Sequence, residues 1–149
     1  MNIIALNKKA SFNYDILEEF VAGIKLEGRE IKSLRGQKPS FAGSFVIISG
    51  GHAHLCELNI PRYKHDGTPE YNPKRKRLLL LKKAEIARME GKMSGEGITV
   101  VPLSIGFERQ WAKVRVALVR GKKKFDKRHS IKEKDEKRRA QQAMKKFSG

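Results

Sequence analysis

The stretch VPLSIGFERQWAKVRVALVRG, Val101 to Gly121, confines this chain to a narrow set of folds. Val114, Val116 and Leu118 alternate with Lys113, Arg115 and Ala117. A period of two places one set against a core and the other on a wet, basic face, which predicts an antiparallel strand. Its partner is expected over Ile98 to Phe107, joined through Glu108–Gln110, with Pro102 marking an edge position or a bulge. The same alternation runs through YDILEEFVAGIKL, where Ile16, Phe20, Ala22, Ile24 and Leu26 share one parity with Glu18 between them. This predicts a long half-buried strand, interrupted or bent at Gly23.

Turn chemistry supplies more strands. Gly50-Gly51 sits between Phe45–Ile48 and Ala53–Leu58, and paired glycines provide the positive φ angles of a tight hairpin. The run LLLL at 78–81 is read as either a buried strand or a helix entry. Two segments change period. EGREIKSLRG has Ile31 and Leu34 three apart, ends at Gly36 and meets Pro39, so a helix of about two turns fits. Lys82 to Met93 repeats Ile86, Met89 and Met93 at helical spacing, ended by Gly95 and Gly97. MNIIALNKKASFN reads as an apolar arm and a basic turn. The sum is a mainly β chain: a small closed or nearly closed barrel of five or six strands with two or three short helices. A small α+β sheet is the alternative.

Charge says what such a body meets. Thirty-three basic against sixteen acidic residues gives +17 over 149 residues. The excess is not spread evenly. Residues 1–59 and 84–120 are nearly balanced, residues 60–83 reach +6 and residues 121–149 reach +8. Two patches of this kind are the footprint of a polyanion, with nucleic acid ahead of an anionic membrane surface. The expected organisation is a folded body over 1–120 and a flexible basic tail over 121–149.

In the first patch, PRYKHDGTPEYNPKRKR sets Tyr63 and Tyr71 among Arg62, Lys64, Lys74, Arg75, Lys76 and Arg77. Cationic groups meet phosphates, and tyrosine rings stack on bases or tack a loop down. RNA is preferred to DNA because small barrels with irregular loops suit bent, single-stranded shapes. The tail holds twelve Lys or Arg against four acids and few large apolar side chains, so it cannot fold alone. From Lys127 it has no glycine or proline before Gly149 and is rich in helix formers, so helix on contact with an anion is expected.

Other chemistries find little support. GxSxG, GxxxxGK[ST] and GxGxxG patterns are absent, and no enzymatic activity or cofactor is expected. Glu18, Glu27 and Glu30 are read as charge balance for a basic surface. Cys56 is the single cysteine, read as an ordinary strand residue; His52, His54 and Cys56 share a parity but lack a fourth ligand, so no metal site is expected. No stretch has the ~20 apolar residues of a membrane span, and a cytoplasmic protein is expected.

Five blocks in order, NKKA, GIKLEGREIKSLR, PKRKRLLLLKKAEI, TVVPLSI and GKKKFDKR, resemble the bacterial SsrA-binding protein family from Asn7 to about Arg139. Asn59–Tyr63 and Glu70–Pro73 depart from that family's usual residues. The resemblance implies an OB-like β-barrel that binds the tRNA-like domain of tmRNA. It also implies a tail that becomes helical along the empty mRNA channel of a stalled ribosome, beside small-subunit rRNA at the decoding centre. It implies a monomeric adaptor of trans-translation, tmRNA and the ribosome being its partners. The body signature falls on Gly28, Glu30, Lys32, Ser33, Leu34 and Arg35, with Asn7 and Lys8 before it. Joined with the basic loop, the tmRNA-binding set is Asn7, Lys8, Glu30, Lys32, Arg35, Tyr63, Lys74, Arg75 and Arg77. The ribosome-binding set is Lys122, Lys123, Asp126, Lys127, Arg128, Lys132, Lys134, Arg138 and Arg139. A general basic ribosomal or ribosome-assembly protein is the alternative reading.

Overall fold

A computed structural model describes residues 1–95 and 97–122. The long C-terminal hairpin anchors it: β6 (Ile98–Glu108) and β7 (Trp111–Gly121) pair antiparallel, Val100 opposite Leu118 and Ile105 opposite Val114. The register slips between Pro102 and Ser104, so the proline sits at a bulge, where its missing N–H costs least. The inward set Val114, Val116 and Leu118 is fully buried as the alternation requires. The opposite face is wet only as far as Arg115. Ala117, expected outside, is buried together with Val119 against Val101, with Tyr14 and Leu103 packed on them. Period two gives parity but not which faces are covered.

β7 also pairs along its length with β2 (Tyr14–Ile24), from Tyr14–Gly121 to Gly23–Lys113. The strand is not interrupted at Gly23 but runs on to Ile24. The register breaks instead between Ile16 and Glu18, so Leu17 is the bulged residue and Ile16 turns out to solvent. Gly23 serves close approach instead, since a Cβ there would lie 3.2 Å from that of Leu80 on the neighbouring strand.

The glycine hairpin forms as expected. β3 (Phe45–Ser49) and β4 (His52–Cys56) flank Gly50 and Gly51, whose φ angles of 59° and 77° are left-handed. The LLLL run becomes β5 (Arg77–Leu80), and the apolar arm is itself a strand, β1 (Asn2–Leu6), antiparallel to β6. Gly106 permits that pairing, because a Cβ there would stand 2.2 Å from the Asn2 carbonyl oxygen. Among the described residues there are thus seven strands rather than five or six. They form one antiparallel sheet in the order β1-β6-β3-β4-β5-β2-β7, and β7 pairs back onto β6.

Among the described residues three helices accompany the sheet: α1 (Ala10–Asn13), α2 (Gly28–Gly36) and α3 (Lys83–Met93). The last two start on the same device, a glutamate at the third helical position reaching back to the entry N–H. Glu30 Oε1 accepts from Glu27 N at 2.8 Å and Glu85 Oε1 from Lys82 N at 3.0 Å. Leu34 and Met89 carry the helices onto a core of Phe20, Ala22, Val46, Leu55, Leu79 and Ile105. Sheet and helices together leave the basic loop, residues 57–76, lying beside α2.

Candidate nucleic-acid interface

The loop between β4 and β5 would be a floppy excursion if its carbonyls met only water. Arg77 prevents this. It is 0% exposed and donates Nη1 to the Leu58 carbonyl at 2.6 Å and Nη2 to the Pro73 carbonyl at 2.9 Å, joining the two ends of the loop. Its Nε donates to Glu30 Oε2 at 2.5 Å, while Arg75 Nη2 donates to Glu30 Oε1 at 2.5 Å. Burial alone would raise the Glu30 carboxyl. The Arg75 hydrogen bond, the Glu27 backbone N–H and the Arg77 charge outweigh it and hold the group below its ordinary value, so it stays ionised.

Around that pair α2 stitches the rest of the loop down. Ser33 Oγ donates to the Pro61 carbonyl at 2.5 Å and Gln37 to the Arg62 carbonyl at 3.1 Å. The Tyr71 hydroxyl donates to the Ile60 carbonyl at 2.7 Å, and burial pushes that phenol up. The outcome is a loop fixed at its base, with cations projecting from it: Arg62, Lys64, Lys74 and Lys76 line its surface and Arg75 is half-buried. Lys74 lies 3.7 Å from Glu57.

This placement corrects part of the expected RNA-contacting set. Glu30 and Arg77, 1% and 0% exposed, cannot touch a macromolecule; they are the internal brace. Glu30 is therefore not surface charge balance either, whereas Glu18, paired with Arg88 at 2.7 Å, is. Tyr71 belongs to the tacking role. Tyr63 remains at the loop surface, with Lys32 Nζ 5.8 Å from its ring centroid and His65 edge-on at 5.4 Å. Lys32 and Tyr63 thus sit together and Arg75 is tied to α2 through Glu27 and Glu30, while Lys74, next to Arg75 in the chain, stands beside Glu57. Arg35, exposed on α2, lies 4.5 Å over the Phe107 ring. Asn7 and Lys8 lie apart from the brace, on the wall of a groove of about 620 Å³ that Tyr14, Phe41, Phe45 and Val101 also line. There Asn7 Nδ2 donates to the Pro102 carbonyl at 2.8 Å, pinning the β6 bulge, while Lys8 is exposed. Of the tail set only Lys122 is described; its N–H donates to the Asn13 carbonyl at 3.0 Å and its ammonium to that of Ser11 at 3.0 Å. Lys123, Asp126, Lys127, Arg128, Lys132, Lys134, Arg138 and Arg139 lie outside the described residues.

Sequence reasoning missed Arg29 and Asp66. Arg29 reaches from α2 to Thr68 and Glu70, and Asp66 accepts from Thr68. The Asp66-Gly67-Thr68 stretch carries a turn signal that points to the second of them. Arg77 was legible as well: it shares its parity with Leu79, the buried position of the same strand.

A seven-stranded antiparallel body carrying a cationic loop braced by buried ions defines a class, that of small basic β proteins shaped to hold a polyanion. Comparison with known proteins gives the particular one. The model of the SmpB protein family matches residues 4–146. An SsrA-binding protein of Thermosipho melanesiensis is 45% identical over 146 residues, covering 97% of this chain and 99% of that protein. One from Ehrlichia canis is 46% identical over 136 residues, covering 91% and 92%. A solved chain described as "tmRNA-SmpB: a journey to the center of the bacterial ribosome" is 45% identical, with a TM-score of 0.69 over 80% of this chain and 85% of that one. The chain belongs to the SmpB protein family.

Proposed function

We propose that this protein is the RNA-binding adaptor of trans-translation, binding tmRNA and acting in the rescue of stalled ribosomes, as its family membership supports. It works by binding and placement and makes or breaks no bond. The observation that carries the reading is the braced cationic loop: a ligand surface held rigid before contact loses less freedom on binding, and its cations meet phosphates already aimed. The paired strands are an OB-like closed barrel over residues 1–120, and its face at Lys32, Tyr63, Lys74 and Arg75, with Lys8 and Arg35, takes the tRNA-like domain of tmRNA. Residues 121–149 engage small-subunit rRNA and the mRNA channel. Message phosphates in an occupied channel compete for the same space, so only a truncated message admits this segment. The protein acts as a monomer in the cytoplasm.

The test is truncation after Lys122. The shortened protein should bind the tRNA-like domain within about threefold of the full chain, a difference of roughly 0.6 kcal/mol, while peptide tagging on stalled ribosomes disappears. Broad loss of ribosomal RNA affinity with no selectivity for tmRNA would instead make it a general ribosomal RNA binder.

A further inference from the structure

The loop that carries the cations also carries a carboxylate, Asp66, where a binding face for RNA should have none. Its side chain is 6% exposed, against 45% for Arg62 four residues earlier. Asp66 is turned inward, and its neighbours keep it there. The Thr68 hydroxyl donates to it at 2.8 Å and the Thr68 backbone N–H at 3.3 Å; Arg62 Nε and Arg29 Nη1 each approach Oδ2 at 3.4 Å. The Thr68 hydrogen bond leads in holding this carboxyl below its ordinary range. Arg29 completes the arrangement from the first turn of α2. Its Nε donates to Glu27 at 2.8 Å, its Nη1 to the Thr68 hydroxyl at 2.6 Å and to the Glu70 carbonyl at 2.7 Å, and its guanidinium carbon lies 4.9 Å from the Tyr71 ring centroid. Arg62 closes the turn by donating to the Thr68 carbonyl.

We propose that Arg29 and Asp66 are positioning residues for RNA binding: a latch that fixes the turn 62–70, so that an acid inside a cationic loop strengthens the hold on a phosphate-bearing partner. The inference rests on the adaptor reading above. Three side chains, Thr68, Arg62 and Arg29, converge on Asp66, and each would otherwise be freer to rotate. Arg62 in particular is directed by the carboxylate at one nitrogen and by the Thr68 carbonyl at another. Without the latch the turn that presents Arg62, Tyr63 and Lys64 must be ordered on each encounter, and binding bears that entropy. Arg29 is suited to this because five donors in one plane can serve Glu27, Thr68 and Glu70 together. A lysine ammonium cannot span them.

The two views of Asp66 differ in sign. If only charge counts, Asp66→Ala raises the net positive charge of the loop and RNA binds more tightly. If the latch counts, RNA binds more weakly, by about fivefold or more, roughly 1 kcal/mol. The experiment titrates the full-length protein with the tRNA-like domain of tmRNA at several salt concentrations, comparing wild type, Asp66→Ala, Arg29→Lys and Arg29→Ala. Arg29→Lys should lose as much affinity as Arg29→Ala, with a salt slope unchanged from wild type, because no phosphate contact is removed. In the free protein, amide exchange at Thr68 should speed up in Asp66→Ala. Affinity at or above the wild-type level in Asp66→Ala, or full rescue by Arg29→Lys, overturns the latch. Failure of the wild type itself to bind refutes the adaptor reading, and the latch with it.

Discussion

Replacing Glu30 by alanine isolates the brace that holds the basic loop. Glu30 is 1% exposed and receives three hydrogen bonds, from Arg75, Arg77 and the Glu27 N–H. Removing it leaves Arg77, 0% exposed, with a full charge and only the Leu58 and Pro73 carbonyls to answer it. Breaking one side of a buried pair costs about 3–5 kcal/mol. For a chain of this size that lowers Tm by roughly 6–20 °C. The companion variant E30L/R77M takes both charges away together. Its remaining cost is the two carbonyls and the Glu27 N–H, each about 1–3 kcal/mol if no water reaches it, with Glu27 the carboxylate left to Arg75. The double variant should therefore lose distinctly less than the sum of the two single changes. Urea unfolding followed by circular dichroism is the suitable assay, because Trp111, the only tryptophan, is 65% exposed and a poor reporter of the core. A cost for Glu30→Ala below about 1 kcal/mol would refute the reasoning, since it would mean that water already reaches the pair.

Gly106→Ala should strip β1 from β6, because the new Cβ would meet the Asn2 backbone 2.2 Å away; the check is faster hydrogen exchange at the amides of β1, with the β6–β7 pairing unaffected. Stability should fall in acid: the Glu30 carboxyl lies below its ordinary value in the fold, so its contribution is complete above about pH 4.3 and is lost as the pH drops through the folded value. The urea midpoint of wild type should accordingly decline more steeply between pH 5 and 3 than that of Glu30→Gln. Asn7→Ala removes the amide that donates to the Pro102 carbonyl. It should cost about 1 kcal/mol by the same unfolding assay, and a loss of less than a few tenths would show that the bulge holds itself.

Period two and paired glycines made most of the sheet readable. β2, β6, β7 and the β3–β4 hairpin follow directly from alternation and from Gly50-Gly51, and both longer helices from their spacing. β1 was hidden because NIIAL is too short to show a period, and its pairing depends on Gly106 about a hundred residues away. The site was legible in charge but not in depth. Counting cations found the loop, yet whether a cation faces water or the interior depends on what lies beneath it. Arg77 and Arg75 are two residues apart in PKRKR, and one is wholly buried while the other reaches the surface. Glu30 could be placed as a partner for them only once α2 was seen packed across the loop.

The pairing of β2 with β7 has a consequence for how the protein is made. Between Ile24 and Trp111 stand some ninety residues, and at ~5–20 residues per second their synthesis takes roughly 5–20 s. A hairpin such as β3–β4 closes in about 1–10 μs. β5, made part-way through, answers only Gly23 and Ile24, so the nascent chain carries the rest of β2, with Phe20 and Ala22 uncovered by β7, until that last strand is made. Solubility before completion depends on the charges of β2, Asp15, Glu18 and Glu19, which discourage one unfinished copy from adhering to another.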